Sequence, residues 1–272
     1  MSVLAPARSC HPHGHPTYSC ATSPLTLRVK FVLAELVVSY DVIELNIPYS
    51  KPDWYMEKVN PAGLVRLPTL LITAPPESAN PPVPARTAGP APHLRRPPLR
   101  EDEAPSPSAL AVTDSALFLA FLADDLFPAA GLRPTAIAAH LADLLCLLFT
   151  FAIVGEPAAP LVAALGALEG TLPPDGGWVA GAGEAWSVAD AAVVPVLLFL
   201  RAGFRAEAET MDAAEAGKVA RALEAPLIAR YLEDNLRRES VAKLWDEEAM
   251  TKVFKHVAVK RVAAAKAASA RA

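Results

Sequence analysis

The chain has 272 residues, 53% of them hydrophobic, which is enough to build one large domain or two of moderate size. A formal net charge of −4 and a pI near 5.9 exclude nucleic acid as the main partner. Three scattered cysteines are too few for a disulfide framework, and the apolar runs are too short to span a bilayer. The N-terminus lacks the uninterrupted apolar segment of a signal peptide, so we expect a cytoplasmic protein in a reducing compartment.

Residues 1–16 include three alternating histidines in the run HPHGHP. Such a run could bind a metal ion, but the prolines within it and its place at the end of the chain favour a disordered tail. We therefore predict no metal site. Thr17 and Tyr18 are predicted to close a short first strand, which the preceding proline weakens.

Residues 23–36 carry the signals of a first helix. Ser23 is a good N-cap, and Pro24 suits the first turn, where its missing N–H is no loss. Apolar residues then recur at three- and four-residue spacing and predict one buried face: Leu25, Val29, Val32, Leu33 and Leu36. The Ser23 hydroxyl would lie at the positive end of the helix dipole, where an anion is favoured. Taken alone, the segment favours a plain capping serine.

The next segments predict the rest of a small α/β domain. Residues 40–47 have the β-branched content of a second strand, and residues 51–58 indicate a loop that enters a short helix. Residues 68–72 and 110–112 predict a third and a fourth strand, and residues 116–124 predict a helix with an apolar face. The predicted order is therefore βαβαββα, which we place at residues 17–128.

Residues 74–108 interrupt this domain between its third and fourth strands. They contain 11 of the 27 prolines and show no periodicity, so we predict a long, exposed and largely unstructured insertion. The prolines could dock into a groove that binds polyproline, but an ordinary loop is the better-supported interpretation.

From about residue 135 onward every signal is helical, which predicts a second, all-α domain over residues 135–260. Residues 136–154 and 158–172 are apolar and rich in alanine. Ser187 and Asp190 have the spacing of a capping box, with Trp186 placed for a hydrophobic staple. The apolar helix that follows should be central, and Pro195 should bend it or mark its first turns.

Several motifs of the chain resemble those of cytosolic glutathione transferases, whose layout is a small βαβαββα domain followed by an all-helical one. Residues 18–28, YSCATSPLTLR, resemble the active-site segment of that superfamily. Residues 51–54 and 60–65, KPDW and NPAGLV, are similar to the corresponding run of the omega class, especially its fungal members. Asp114 and Ser115 match an acidic-serine pair of the family, and residues 172–177 with the capping box fit an omega-like second domain.

The resemblance implies a thioredoxin-like N-terminal domain, glutathione as co-substrate and a set of site residues. Ser23 would be the catalytic residue. Six residues would bind glutathione: Leu25, Lys51, Leu67, Pro68, Asp114 and Ser115. Leu67 would pair its backbone with the cysteinyl part beside a cis Pro68, and Asp114 with Ser115 would hold the γ-glutamyl end. Lys51 would pair with the glycyl carboxylate, and Leu25 would form a wall of the site.

Three departures from the omega pattern concern the site itself. That class usually has cysteine where this chain has Ser23. Two residues separate Val65 from Pro68, where the family has Val-Pro, so we assign the cis role to Pro68. The loop between the third and fourth strands is also far longer than usual.

These features predict an enzyme that uses a serine hydroxyl to activate the glutathione thiol. That thiol has a reference pKa of about 8.5 and is mostly protonated at neutral pH, so a hydrogen-bond donor is needed to favour the thiolate. The reaction would be conjugation to small hydrophobic electrophiles or peroxide reduction, by a homodimer without nucleic-acid or membrane partners. Cys20 is the rival nucleophile, which would instead support thiol transfer.

Two alternatives of other classes stay open. The same fold could be a non-catalytic carrier of polyphenolic or aromatic ligands. It could also be an interaction protein in which the altered loop before Pro68 has abolished glutathione binding.

Overall fold

The computed structural model describes residues 15–38, 40–46, 51–58, 69–73, 109–112, 119–126, 132, 158–179, 185–205 and 213–269. Several sequence predictions lie outside these residues: the site residues Leu67, Pro68, Asp114 and Ser115, the insertion 74–108, and the helix 136–154.

A four-stranded sheet forms the N-terminal part of the protein. Its strands are β1 (His15–Ser19), β2 (Tyr40–Glu44), β3 (Thr69–Thr73) and β4 (Ala109–Val112), in the order β2-β1-β3-β4. The strands β1 and β2 are parallel, whereas β3 runs antiparallel to both of its neighbours. A parallel pair requires a crossover connection, which helix α1 (Pro24–Glu35) supplies.

All four predicted strands are present, with small shifts at their ends. The strand β1 begins at His15, two residues before the predicted start of the domain at residue 17, because the backbone of His15 pairs with Tyr40. The strand β2 ends at Glu44, short of the predicted residue 47. Within β2 the side chains alternate as a half-exposed strand requires, since Val42 and Glu44 are exposed and Ile43 is buried.

The remaining described elements are helical. Two short ones belong to the N-terminal part: α2 (Asp53–Lys58) and a π-helical segment (Phe121–Leu126). The C-terminal part contains α3 (Ala159–Thr171), α4 (Val188–Arg205), α5 (Ala213–Leu223), α6 (Pro226–Arg237), α7 (Glu239–Ala242) and α8 (Glu247–Ser269). Among the described residues, an α/β part is therefore followed by a part whose elements are helices, as predicted, and α8 continues beyond residue 260.

Helix α4 lies at the centre of the C-terminal part. Its residues from Val188 to Leu198 are all buried, and both α1 and α8 pack against it. Pro195 lies in the interior of α4, so the alternative that it marks the first turns is wrong.

The predicted capping box is confirmed at the start of α4. The backbone N–H and the hydroxyl of Ser187 donate to the Asp190 carboxylate at 2.8 and 3.0 Å, and Ser187 Oγ accepts from Ala189 N–H at 3.2 Å. The same buried carboxylate accepts from Val179 N–H at 2.9 Å and from the Tyr231 hydroxyl at 2.8 Å. Burial and the neighbouring Asp190 charge raise the pKa of Tyr231 well above its usual value. Asp190 therefore caps α4 and also links it to α6 through Tyr231.

Helix α1 is more completely enclosed than its apolar pattern predicts. Val29, Val32 and Leu33 are buried as predicted, but Leu25 and Leu36 are only half-buried. Every residue from 26 to 33 is buried, including Arg28 and Lys30. The prediction of a single buried face was therefore too narrow, because the described surroundings cover the whole circumference of this part of the helix.

Candidate active site

The candidate site is built on the turn that joins β1 to α1. Ser19 and Cys20 are buried at the end of the strand, and two turn residues lead from them to Ser23. Ser23 N–H donates to Cys20 O at 2.9 Å, which closes the turn. Leu27 N–H then donates to Ser23 O at 3.0 Å, which is the first helical hydrogen bond. Ser23 is therefore the N-cap of α1, as the sequence predicts.

The Ser23 hydroxyl keeps a proton that it can donate. Its oxygen accepts a hydrogen bond from Thr26 N–H at 3.4 Å. Because a hydroxyl has one donor and two acceptor lone pairs, this cap leaves the O–H proton for another acceptor. The first turn of α1 contains no acidic side chain that would neutralise the positive end of the helix dipole. The position can therefore stabilise an anion that binds beside the hydroxyl.

The Cys20 thiol is placed less favourably for chemistry. It is 4% exposed, and its sulfur lies 3.3 Å from Thr22 Oγ1. Cys20 precedes the turn, and its own N–H donates to Thr26 Oγ1 at 3.5 Å. Reactive cysteines are partly exposed and lie in electropositive surroundings such as a helix N-terminus. Cys20 lacks the exposure, so its environment is closer to that of a packed structural thiol.

Glu44, on the neighbouring strand β2, also contacts the turn. The Glu44 carboxylate accepts a hydrogen bond from Ala21 N–H, and its second oxygen lies 3.6 Å from Lys30 Nζ. Lys30 is on α1 and its side chain is 9% exposed, whereas that of Glu44 is 48% exposed. One carboxylate thus joins β2, the turn and α1.

Other polar contacts hold α1 against the helical part. Arg28 Nε donates to Ala192 O on α4 at 3.0 Å. At the other end of α1, the guanidinium of Arg238 donates two hydrogen bonds to Glu35, at 3.0 and 2.6 Å. Ser240 also donates to Glu35. The Arg238 guanidinium in turn lies over the rings of two tryptophans, at 4.8 and 5.3 Å from their centroids.

Three of the seven predicted site residues lie within the described part of the chain. Ser23 and Leu25 are half-buried at the N-terminus of α1, and Lys51 is half-buried in the segment that leads into α2. The roles of these three, and of Leu67, Pro68, Asp114 and Ser115, stay predictions.

The charged residues that fix the turn and the helix were not predicted from the sequence. Lys30 and Arg28 interrupt an apolar helix, and a charge inside an apolar stretch is a sign that it has a partner. Glu44 gave no such sign, because it falls on the exposed side of an alternating strand. Its contact with Ala21 joins residues far apart in sequence and could not be read from spacing.

Two absences are established for the described ranges. No group of three or more His, Cys, Asp or Glu side chains among them could hold a metal ion. No helix in that part of the chain combines the length and the apolar character needed to cross a membrane.

No protein-family model matches the sequence, and no curated protein matches it. Solved structures do match. Glutathione transferase Omega 2S from Trametes versicolor is 28% identical, with a TM-score of 0.61 over 90% of this chain and 97% of that one. The same protein in complex with 2,4-dihydroxybenzophenone is 27% identical, with a TM-score of 0.64 over 90% and 99%. Omega 1C from that fungus is 25% identical, with a TM-score of 0.64 over 89% and 95%.

A more distant match bears on the fold alone. A glutathione transferase family member from Pseudomonas fluorescens, solved with two glutathione molecules bound, is 18% identical, with a TM-score of 0.51 over 88% of this chain and 94% of that one. The matches extend over both parts of the molecule. The chain therefore has the fold of glutathione transferases, a thioredoxin-like domain followed by a helical one, and its structural neighbours include omega-class glutathione transferases of a fungus.

Proposed function

We propose that this protein is an omega-like glutathione transferase in which the Ser23 hydroxyl activates the glutathione thiol. The observation that carries the proposal is the position of Ser23. Its hydroxyl caps α1, retains a proton to donate, and lies at a helix N-terminus whose first turn has no acidic side chain. Similarity to several solved glutathione transferases supports an enzyme of that kind.

The chemistry follows from the charge at that position. The glutathione thiol loses its proton to solvent, and the Ser23 hydroxyl donates a hydrogen bond to the resulting thiolate. A donor to the charged form lowers the pKa of the thiol, and the helix dipole acts in the same direction. The thiolate then attacks the electrophilic carbon, a C–S bond forms, and the leaving group departs with its electron pair.

Binding of the tripeptide would use residues from several segments that follow the turn in sequence. We propose that Leu25 forms a wall beside the thiol and that Lys51 pairs with the glycyl carboxylate. The backbone of Leu67 beside Pro68 would hold the cysteinyl part. Asp114 and Ser115 would hold the γ-glutamyl group. We also propose that the protein acts in the cytoplasm as a homodimer, on a small hydrophobic second substrate.

Two measurements test this function on the intact chain. Calorimetry with glutathione is expected to show binding, and Ser115→Ala is expected to weaken it by about 1.5–3 kcal/mol, since a donor to a carboxylate is lost. Assays with an aryl halide are expected to show thioether formation that depends on glutathione. Absence of both binding and turnover would exclude the transferase and favour an interaction protein.

A carrier function is the second candidate. The Omega 2S enzyme, 27% identical to this chain, was solved in complex with 2,4-dihydroxybenzophenone. We therefore propose that a hydroxylated aromatic compound can occupy the second-substrate position. Binding of such a compound without any turnover of electrophiles or peroxides would identify the protein as a carrier rather than an enzyme.

A further inference from the structure

We propose that Glu44 is a positioning residue for the reaction, which acts by fixing the turn that presents Ser23. This inference rests on the function proposed above. It concerns a side chain on β2 that caps no helix and lies outside the predicted glutathione contacts.

The turn that leads to Ser23 is in direct contact with Glu44. The Glu44 carboxylate accepts a hydrogen bond from Ala21 N–H, in the turn that leads to Ser23. A hydrogen bond to an ionised acceptor is roughly twice as strong as one between neutral groups. Other hydrogen bonds of the turn are local: Ser23 N–H donates to Cys20 O, and Cys20 N–H donates to Thr26 Oγ1. Just before the turn, Leu45 N–H at the end of β2 also donates to Ser19 O at the end of β1. Glu44 supplies a hydrogen bond that ties the turn to the sheet.

A lysine on α1 orients the Glu44 carboxylate. Lys30 Nζ lies 3.6 Å from the other carboxylate oxygen of Glu44, and the Lys30 side chain is nearly buried on α1. A buried ammonium needs a partner, so the pair directs the carboxylate toward α1. The other titratable group whose interaction with Glu44 is described is Tyr40 on the same strand. Burial raises the pKa of that hydroxyl first, and the Glu44 charge raises it further.

The position of the turn determines how the Ser23 hydroxyl meets a bound thiolate. A donor to a thiolate must be held within a few tenths of an ångström to keep its full effect, because hydrogen bonds weaken steeply with poor geometry. The turn enters α1 at Ser23, so a shift at Ala21 moves the Ser23 hydroxyl. Releasing Ala21 should therefore weaken stabilisation of the thiolate without touching any glutathione contact.

Two substitutions at Glu44 separate the hydrogen bond from the charge. Glu44→Gln keeps an oxygen that accepts from Ala21 N–H and loses the negative charge. Glu44→Ala loses both. Glu233→Ala is the matched control, because Glu233 also lies 3.5 Å from a basic side chain, on α6, but is 64% exposed and remote from the turn in sequence.

The two substitutions are expected to shift the apparent pKa of the bound thiol in opposite directions. Loss of the charge alone should lower the apparent pKa of the bound thiol by about half a unit, since a nearby negative charge disfavours the thiolate. Loss of the positioning should raise that pKa, and lower kcat/KM on the order of tenfold in Glu44→Ala. Exchange of the Ala21 amide hydrogen should accelerate in Glu44→Ala and not in the control.

Each outcome bears on the proposal. If Glu44→Ala lowers the thiol pKa as Glu44→Gln does, Glu44 acts only through its charge and the positioning role is wrong. If the wild type turns over glutathione and both variants match it, the role is also wrong while the transferase function stands. If the wild type neither binds nor uses glutathione, the proposed function fails and the catalytic role of Glu44 with it, whatever the amide exchange shows.

Discussion

Replacing Ser23 with alanine should lower the rate of glutathione conjugation about 100-fold while changing the stability of the protein little. One preorganised donor to a developing anion is worth about 3 kcal/mol, which corresponds to a factor of roughly 10² in rate. The cost to stability comes from the lost helix cap. The distance from Ser23 Oγ to Thr26 N is 3.4 Å, longer than the usual 2.9–3.0 Å, so the cap is a weak one.

The two effects can be measured separately. A weak cap contributes about 0.5–1 kcal/mol, which corresponds to a fall in Tm of about 1–4 °C for a domain of this size. Steady-state kinetics with an aryl halide give the rate, and thermal unfolding gives the stability. A large loss of rate with a small change in Tm would identify the hydroxyl as part of the chemistry rather than of the fold.

Ser23→Cys and Cys20→Ala complete this comparison. A cysteine at the helix N-terminus would have a depressed pKa and could attack a glutathionylated substrate, so Ser23→Cys should gain deglutathionylating activity. The wild type should show little of that activity, because a serine cannot form a mixed disulfide. Cys20→Ala should retain conjugation. If Cys20→Ala removes the activity while Ser23→Ala keeps it, Ser23 is only a cap and the nucleophile lies three residues upstream.

Three further predictions concern stability. Gly203→Ala places a Cβ 2.5 Å from the ring of Phe254, so it should lower the free energy of unfolding in urea by about 1–2 kcal/mol, because overpacking outweighs the helix propensity of alanine. Gly166→Ala, with open space around it, should raise that free energy by about 0.5–1 kcal/mol. Asp190→Ala removes the acceptor of four hydrogen bonds and should cost more than about 3 kcal/mol in the same assay. Burial, and after it a neighbouring carboxylate, raise the pKa of Tyr40 to about 12. Its protonated hydroxyl therefore stabilises the fold fully below about pH 10 and progressively less as the pH rises toward about 12. Tyr40→Phe should flatten this decline in the free energy of unfolding measured between about pH 10 and 12.

The elements that the sequence predicts well are those with signals inside the element. Ser23 and Pro24 mark the start of α1, and the capping box of Ser187 and Asp190 marks the start of α4. These signals are reliable because the hydrogen bonds that they make are local, within three residues along the chain. The strands follow from β-branched content and alternation, and their ends shift by a few residues because pairing with a neighbour, not composition, decides where a strand ends.

Contacts between segments that are far apart in sequence cannot be predicted from such local signals. Glu44 alternates with buried residues and therefore indicates an exposed position on a strand, yet its carboxylate binds the turn before Ser23. Leu25 belongs to the apolar pattern of α1 but is only half-buried, while Lys30 breaks that pattern and is nearly buried. Periodicity reports which residues are apolar, and burial depends on what packs around the helix.

The positions of these missed residues suggest how the candidate site depends on the rest of the molecule. Glu44 holds the turn before α1, Arg28 joins the middle of the helix to α4, and Glu35 joins its end to Arg238. The helix that carries Ser23 is thus fixed at three points, two of them in the helical part of the chain. Because these contacts fix the helix and the turn on which the Ser23 backbone lies, we expect the chemistry proposed for Ser23 to depend on the C-terminal part being folded and docked. An isolated N-terminal part would therefore lose the geometry of Ser23 even if its sheet formed.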